Sequence, residues 1–334
     1  MSKKPGAIGW VVLAPWFLAC LWAGNGLASE DRFGQWLQGL KAEALSQGIS
    51  ASTLEKALGG ISPIPRVIEL DRSQPEVKWT LQEYLARVVT EARISSGRQQ
   101  LALHRELLDQ AERDYGVPAQ VLTALWGMET DYGRLPGKFP VIASVATLAY
   151  DGRRGSYFRK ELLLALRILD QGHITPEEMT GSWAGAMGHF QFMPSTFVEY
   201  ALDADGDGRK DIWNNLPDAV ASAANYLASM GWKRGLPWGS EVRLPKKFDS
   251  SLIGQDARRP VSAWRSLGIR GRDGGPLNLS WDGEAWLVAP QWPGGRAFLV
   301  NRNYRALYRW NPSHSFAIAV GILSDKIGGN SSAP

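Results

Sequence analysis

Cysteine is nearly absent from this chain of 334 residues: Cys20 is the only one, so no disulfide can form within the protein. An exported protein without disulfides is typical of a bacterial envelope and unusual for a small secreted eukaryotic domain. A dominant charge of one sign is missing as well. The formal net charge is +4, with arginine clusters rather than a basic stripe, so the composition gives nucleic-acid binding no support.

Long hydrophobic runs are confined to the start of the chain. The apolar run at residues 8–22 follows two lysines, is interrupted by Pro15, and is too short for a membrane span. Small residues follow it, and this order of lysines, apolar run and small residues predicts a signal peptide at residues 1–28 that is cleaved after Ala28. The mature protein is therefore expected in the periplasm. The alternatives are an uncleaved anchor and an outer-membrane lipoprotein acylated at Cys20, although the residues before this cysteine match a lipobox poorly.

Apolar residues at helical spacing dominate the rest, so the sequence predicts a mainly α (α+β) fold with a sizeable core. Helices are predicted at 158–170, 218–230, 301–309 and 314–326, and a short strand near 285–288. Fifteen tryptophans are many, and their flat faces suit sugar rings as well as cores. The predicted regions are an N-terminal helical region (29–116), a central core (117–232), a small β-containing excursion (233–300) and a C-terminal helical segment (301–334).

Glu129 is the most informative residue. The segment 118–133 predicts a helix that begins at Pro118 and ends at Gly133. Glu129 continues an apolar stripe at helical spacing, which is formed by Leu122, Leu125 and Trp126. A carboxyl group that faces apolar surroundings loses hydration, which raises its pKa and suits it to protonate a leaving group. The alternative is a structural glutamate paired with Arg134.

A second informative window spans residues 181–195. Glycine and alanine occupy five of its positions, so a ligand can approach the main chain closely. Gln191 stands between two aromatic residues, an arrangement that is suited to binding a sugar hydroxyl or N-acetyl group. The alternative is a tight glycine-rich turn before a helix that starts at Pro194. His189 has no partner at ligand spacing, which argues against a metal site there.

The third window, residues 203–211, matches the first part of an EF-hand calcium loop, with Gly206 at position 6. The match is incomplete, because Asn214 stands where a bidentate glutamate is expected. The alternative is an Asp/Gly turn that hydrogen-bonds its own backbone. The predicted metal-site residues are Asp203, Asp205, Asp207, Arg209 and Asp211.

Two adjacent arginines, Arg153 and Arg154, follow a glycine in a predicted turn. Such a pair can clamp a carboxylate, for instance on an acidic saccharide or a peptide stem. A solvated turn with one structural ion pair is the alternative.

Taken together, these windows resemble the lytic murein transglycosylase B family, the envelope enzymes that cleave peptidoglycan. The resemblance runs from about residue 31 to 326, and its motifs occur in the family's order. The matching segments are 125–133, 149–154, 182–195, 203–213 and 224–232.

The resemblance implies a lysozyme-like catalytic core, with Glu129 as the single acid/base. The muramic acid's own C6 hydroxyl would replace water as the nucleophile and close a 1,6-anhydro ring. The family usually has tyrosine where this chain has Trp310 and Phe316. The implied substrate contacts are Ser182, Gln191, Tyr226, Arg153, Arg154, Trp310 and Asn311.

Two other functions compete with this one. A hydrolytic muramidase would need a second carboxylate; Asp131 lies only two residues from Glu129 and so points away on a helix, and the sequence does not place Asp151. A non-catalytic peptidoglycan-binding scaffold would leave Glu129 merely structural. The expected partners are glycan strands and other cell-wall enzymes, and the expected state is a monomer. No cofactor is expected to be required, and the acidic loop leaves a structural calcium ion as an option.

Overall fold

The computed structural model of the protein describes residues 23–73 and 79–329. Residues 1–22 of the predicted signal peptide, Cys20 included, lie outside the described residues. Helices make up most of the described chain, in agreement with the mainly α (α+β) prediction. Within that part of the chain, no helix is both long enough and apolar enough to cross a membrane.

The N-terminal region is helical, and local capping sets where several of its helices begin. Ser50 accepts a hydrogen bond from the Thr53 backbone N–H, and Thr80 and Glu83 form a reciprocal capping box. The helices are α1 (Ala23–Ser46), α2 (Ala51–Leu58), α3 (Pro65–Arg72), α4 (Leu81–Val88), α5 (Glu91–Leu103) and α6 (Arg105–Tyr115).

The central region begins after Gly116, whose φ of 74° ends α6. Its first helix, α7 (Ala119–Thr130), is buried along most of its length because helices from both ends of the chain pack around it. The remaining elements are β1 (Phe139–Pro140), α8 (Val141–Asp151), α9 (Gly155–Asp170), β2 (Thr180–Gly181), α10 (Pro194–Tyr200) and α11 (Leu216–Ser229); β1 and β2 pair antiparallel. The helices predicted at 158–170 and 218–230 are confirmed as α9 and α11.

The excursion contains a five-stranded antiparallel sheet, which confirms the strand expected near residues 285–288. Its elements are β3 (Gly239–Arg243), β4 (Arg259–Pro260), α12 (Val261–Ser266), β5 (Arg270–Gly271), β6 (Glu284–Val288) and β7 (Ala297–Val300). The strand order is β4-β6-β7-β3-β5. Short 3₁₀ turns at Ser250–Leu252 and Gln255–Ala257 precede β4.

Both faces of the two central strands are buried, and each face belongs to a different hydrophobic cluster. Side chains alternate along a strand, so Trp286 and Val288 of β6 pack into the helical core, whereas Ala285 and Leu287 join a second cluster around Trp264. β7 alternates in the same way. The sheet therefore has a small core of its own and is also part of the main one.

Two helices complete the described chain: α13 (Arg302–Trp310) and α14 (His314–Ile327). They confirm the helices expected at 301–309 and 314–326. Asn301 and Ser313 cap their first turns by accepting backbone N–H hydrogen bonds. α14 packs against α7 and α13, so the residues near position 310 come close to the end of α7.

Candidate active site

Glu129 lies in the last turn of α7, and this helix ends earlier than predicted. Asp131 and Tyr132 adopt left-handed backbone conformations, with φ of 52° and 63°, so the helix stops before it reaches Gly133. Such conformations cost about 1–3 kcal/mol in non-glycine residues and persist where the surroundings hold them. In this protein the Tyr132 hydroxyl donates a hydrogen bond to the Arg93 carbonyl oxygen at 2.7 Å.

Glu129 is half-buried as a residue, and one side chain donates a hydrogen bond to its carboxyl group. Trp310 Nε1 donates a hydrogen bond to Glu129 Oε1 at 2.8 Å. Burial raises the pKa of Glu129 to about 7, and the Trp310 bond opposes that rise because it favours the ionised carboxylate. Arg134, the alternative partner of Glu129, pairs with Asp131 instead. The Glu129 carboxyl can therefore donate and accept a proton near neutral pH.

Trp310 is held at the end of α13 by other aromatic rings. Its ring centroid lies 4.9 Å from that of Tyr226, 5.5 Å from Phe192 and 6.3 Å from Phe190. The Tyr226 hydroxyl donates to the Arg309 carbonyl oxygen at 2.9 Å, which ties α11 to α13. This aromatic frame fixes the indole N–H that contacts Glu129.

Gln191 and Ser182 lie on the glycine-rich segment that leads to Phe192. Nearby backbone groups take up part of the hydrogen-bonding capacity of each side chain. Gln191 has a positive φ of 52°, and its Nε2 donates to the carbonyl oxygens of Pro136 and Gly188 at 3.0 and 3.1 Å. Its amide oxygen remains as an acceptor. Ser182 Oγ accepts the Ala186 N–H at 3.0 Å, so its hydroxyl proton remains as a donor. Both side chains are half-buried.

Both arginines of the 153–154 turn bind Asp71, the last acidic residue of α3. Asp71 is 3% exposed, and burial opposes but does not cancel the hydrogen bonds from Arg153 that hold its carboxyl pKa below the usual range. Arg153 donates to both carboxylate oxygens at 2.6 Å, whereas Arg154 donates once, at 2.7 Å. The structure thus shows the structural ion pair, the alternative to a substrate clamp, and a role in binding substrate stays a prediction.

Neither nearby aspartate offers a free second carboxylate. Asp131 is bound by Arg134 and lies 3.6 Å from Arg93, and Asp151 is bound by Arg72 at 2.7 Å. A water-activating base needs an uncommitted carboxylate on the far side of the sugar. These ion pairs therefore weigh against the hydrolytic alternative.

Asn311 and Phe316 flank the turn between α13 and α14. Asn311 follows Trp310 and is exposed, and its backbone N–H caps α13 at the Leu307 carbonyl oxygen. Phe316 is buried at 6% exposure, so a phenylalanine suits its surroundings.

The acidic loop between α10 and α11 gathers a different set of carboxylates from the one predicted. Oxygens of Asp203, Asp205 and Asp218 lie within 4.8 Å of one another. Asp207 and Asp211 are not part of this group, and their carboxylates accept backbone N–H groups of the loop, as the carboxylates of Asp203 and Asp205 also do. Arg209 only donates its backbone N–H there.

Asp218 lies on α11, outside the loop that the sequence pattern covers. It is fully buried and accepts the backbone N–H groups of Ala204 and Asp211, both at 2.7 Å. Burial raises its pKa, and the nearby Asp203 and Asp205 add to that rise. Three oxygen-bearing acids at one point suit a hard cation such as calcium, so this donor set fits the ion, and a ligand role for Asp207, Arg209 and Asp211 stays a prediction.

Tyr84 is a further residue near Glu129, and sequence reasoning missed it. It lies on α4, and burial together with the charge of Glu129 raises the pKa of its hydroxyl. The α4 segment shows only ordinary amphipathic spacing, and the approach of Tyr84 to Glu129 depends on how the helices pack, with α4 against α14.

The model of the Transglycosylase SLT domain family matches residues 32–325. The chain belongs to this family. Its alignment with membrane-bound lytic murein transglycosylase B from Escherichia coli (strain K12) shows 33% identity over 293 residues, which covers 85% of this chain and 76% of that protein.

Solved structures give the same assignment. SltB3 from Pseudomonas aeruginosa, in complex with NAG-anhNAM-pentapeptide, superposes with a TM-score of 0.86 and 45% identity, covering 89% of this chain and 80% of that one. Slt35 from Escherichia coli, in complex with calcium, gives a TM-score of 0.75 and 26% identity, covering 89% and 93%. The chain is therefore a lytic transglycosylase, and the predicted lysozyme-like, mainly helical fold is confirmed.

Proposed function

We propose that this lytic transglycosylase cleaves the β-1,4 bond between N-acetylmuramic acid and N-acetylglucosamine of peptidoglycan. The products would be 1,6-anhydro-muramic acid ends, and Glu129 would act as the single acid/base. The observation that carries this proposal is the carboxyl group of half-buried Glu129, with a pKa raised to about 7 and one N–H donor. The relative SltB3 was solved with fragments named NAG-anhNAM-pentapeptide and NAG-NAM-pentapeptide, which supports this substrate.

The reaction needs one proton donor and one acceptor in sequence. Protonated Glu129 gives its proton to the bridging oxygen, and the bond from this oxygen to C1 of the muramic acid breaks. Ionised Glu129, stabilised by the N–H of Trp310, then takes the proton of the C6 hydroxyl as the hydroxyl oxygen bonds to C1. An intramolecular nucleophile has a high effective concentration, so no second carboxylate is required.

The remaining polar groups suit an N-acetylated sugar. The free amide oxygen of Gln191 can accept an acetamido N–H, and the Ser182 hydroxyl can donate to a carbonyl or hydroxyl oxygen. Tyr226 and Trp310 form the aromatic wall, and Asn311 lies at its exposed edge.

Of the two arginines in the 153–154 turn, Arg154 is the better placed to reach a substrate carboxylate. Asp71 engages Arg153 through two parallel bonds and Arg154 through one, so more of the Arg154 guanidinium remains available.

A structural calcium ion, held by Asp203, Asp205 and Asp218, is part of this proposal. The related Slt35 was solved in complex with calcium, and the oxygen donors of this chain fit the same ion. The ion would brace the connection between α10 and α11, the helix that carries Tyr226. The acid/base steps involve Glu129 and the substrate alone, so calcium would support the fold and not the chemistry.

The proposed place of action is the periplasm, where the glycan strands are the partner. The signal peptide at residues 1–28 would direct export, and a relative of this chain is named membrane-bound. Cell fractionation of a Cys20→Ala variant tests the lipoprotein alternative. An unchanged soluble fraction supports cleavage after Ala28, whereas release from the membrane would support acylation of Cys20.

Mass spectrometry of the soluble products from purified sacculi tests the reaction. We expect muropeptides with 1,6-anhydro ends, one water lighter than reducing ends, and their loss in the Glu129→Gln variant. Reducing ends alone would overturn the proposal in favour of hydrolysis. Sacculus binding without any release by the wild-type protein would favour the scaffold.

A further inference from the structure

A cavity between the sheet and the C-terminal helices is separate from the Glu129 site. It encloses about 310 Å³, at the small end of the range for ligand pockets, and Glu129 is not among its lining residues. The end of β6, the segment 286–290, forms one wall, and α13 with the start of α14 forms the other. The titratable residues that line it are Tyr304, Arg305, Tyr308 and His314, and none of its described lining residues is acidic.

Arg305 is the unusual feature of this cavity. Its Nε is buried without a hydrogen-bond partner, and across residues 23–73 and 79–329 its guanidinium forms no ion pair. Arg305 also lines a neighbouring cavity, and the two acidic residues of that cavity, Asp282 and Glu284, lie 4.0 and 3.7 Å from Arg265 and Arg258 respectively. A buried N–H donor without an acceptor is unfavourable for the free protein, and an anionic ligand that accepts its hydrogen bond would relieve this.

The aromatic residues add neutral donors around that cation. The Tyr304 hydroxyl lies 2.6 Å from His314 Nδ1, and the His314 ring is 4.8 Å from the ring of Tyr308. Burial raises the pKa of Tyr304 and lowers the pKa of His314, so both groups are neutral near pH 7, and the imidazole tautomer decides which of them donates the hydrogen bond between them.

We propose that this cavity binds the C-terminal carboxylate of a short peptide with small apolar residues. One guanidinium matches the single charge of a carboxylate and offers it two parallel N–H bonds, whereas a phosphate dianion would need more positive charge. Trp286 and the apolar residues that follow it suit small side chains. The assignment of this peptide to the peptidoglycan stem rests on the proposed function; the cavity's preference for a carboxylate does not.

The decisive experiment measures binding by ligand-observed NMR with three probes. These are N-acetyl-D-alanyl-D-alanine, its C-terminal amide, and inorganic phosphate. We expect the free acid to bind with a Kd on the order of 1 mM, as its small size allows, and the other two to bind at least tenfold more weakly. Equal binding of the amide or of phosphate, or no binding of the acid, would overturn the proposal.

Substitutions of the lining residues test whether the peptide binds in this cavity. Arg305→Gln should weaken it by about tenfold to a hundredfold, the value of a charge-assisted pair, and Tyr308→Phe by a few fold. Arg302→Gln is the matched control: it lies on the same helix, is exposed, and lines only the neighbouring cavity, so it should bind as the wild type does. Undiminished binding by both the Arg305 and Tyr308 variants would place the peptide elsewhere.

Thermal stability distinguishes a ligand-binding role of Arg305 from a structural role. Because Arg305 has no partner for its buried Nε, Arg305→Gln should leave the melting temperature unchanged or raise it. A fall of several degrees would mean that the guanidinium supports the fold and would count against a ligand site. On glycan strands, Arg305→Gln should raise KM for peptide-bearing chains and not for peptide-free ones, whereas failure of the proposed function would abolish product formation with both.

Discussion

Glu129 and Trp310 stand 181 positions apart in the chain and are joined by one 2.8 Å hydrogen bond. Burial pushes the pKa of Glu129 upward and the indole N–H pulls it down, so the value of about 7 is a balance of two opposing effects. The pattern of α7 alone predicts the first effect, because Glu129 continues an apolar stripe. The second depends on a residue that arrives from the far end of the chain, which no local pattern can locate.

The raised pKa of Glu129 has a consequence for stability. A carboxyl group whose folded pKa lies above its unfolded value destabilises the fold as pH rises between about 4.5 and 7. We therefore expect Glu129→Gln to be as stable as the wild type near pH 4 and more stable at pH 8, by at most about 3 kcal/mol. Urea unfolding at both pH values measures this; a variant that is less stable at pH 8 would contradict the burial of the carboxyl.

The bond from Trp310 predicts a shift in the pH profile. Wild-type turnover should fall tenfold per pH unit above about 7, where Glu129 loses the proton that the first step requires. Trp310→Phe keeps an aromatic ring but removes the donor, so the alkaline limb should move upward by about one unit. Initial rates between pH 5 and 9 on a soluble muropeptide test this. A limb that stays in place would show that the indole N–H does not act on Glu129.

At the scale of elements, periodic segments were predictable and their junctions were not. α9, α11, α13 and α14 begin and end within about three residues of the predicted positions, because apolar stripes mark their buried faces. α7 ends earlier than predicted because Asp131 and Tyr132 adopt left-handed backbone conformations, which the apolar pattern does not reveal. The sequence predicts the ion pair of Arg153 and Arg154 as an alternative, but not its partner on α3.

The acidic loop shows the same limit. The EF-hand spacing describes ligands within one continuous loop. Asp218 lies in the first turn of α11, so this spacing does not include it. The sequence therefore predicts an acidic cluster in this loop that includes Asp203 and Asp205, but not the carboxylate that α11 adds to it.

Calcium should stabilise the protein through this cluster. At about 100 times its Kd, the ion should raise the free energy of unfolding by about 2.7 kcal/mol, seen as a rise of several degrees in melting temperature. Asp218→Asn should abolish the rise, whereas Asp207→Asn, outside the cluster, should retain it. A calcium response that survives Asp218→Asn would exclude this residue as a ligand.

The ion pair between α3 and the 153–154 turn also makes a measurable contribution. Asp71→Asn should lower the free energy of unfolding by roughly 1–2 kcal/mol at pH 7, since a buried carboxylate loses two partners that are themselves partly exposed. The folded pKa of Asp71 is depressed, so this difference should disappear as the pH falls below about 4.

Glu69→Gln is the matched control for this measurement. Glu69 lies on the same helix and forms an ion pair with Arg66, but both side chains are more than 60% exposed, so the change should have little effect. Equal losses in the two variants would mean that burial of Asp71 is not what gives the pair its strength.

On the scale of the whole molecule, the sheet and the helices are one unit, because the central strands contribute to both hydrophobic clusters. Trp264 is the centre of the smaller cluster, and its Nε1 donates to the Ala285 carbonyl oxygen at 3.1 Å. Trp264→Ala should reduce stability by about 3–5 kcal/mol. The helices and the sheet should still unfold in a single transition when circular dichroism and fluorescence are compared.

Leu267→Ala, at an exposed position just after α12, is the control and should change stability by less than about 0.5 kcal/mol. Two separated transitions for Trp264→Ala would show that the excursion unfolds independently.

The packing of α13 and α14 against α7 also determines when Glu129 can act as an acid, because it contributes to the burial that raises the pKa of this carboxyl. A growing polypeptide carries Glu129 long before residue 310 has left the ribosome, and α13 and α14 cannot yet dock against α7. In that interval the carboxyl is hydrated and ionised like any surface glutamate, and it has no proton to give at neutral pH. A fragment that stops before α13 should therefore release no muropeptides from sacculi at neutral pH.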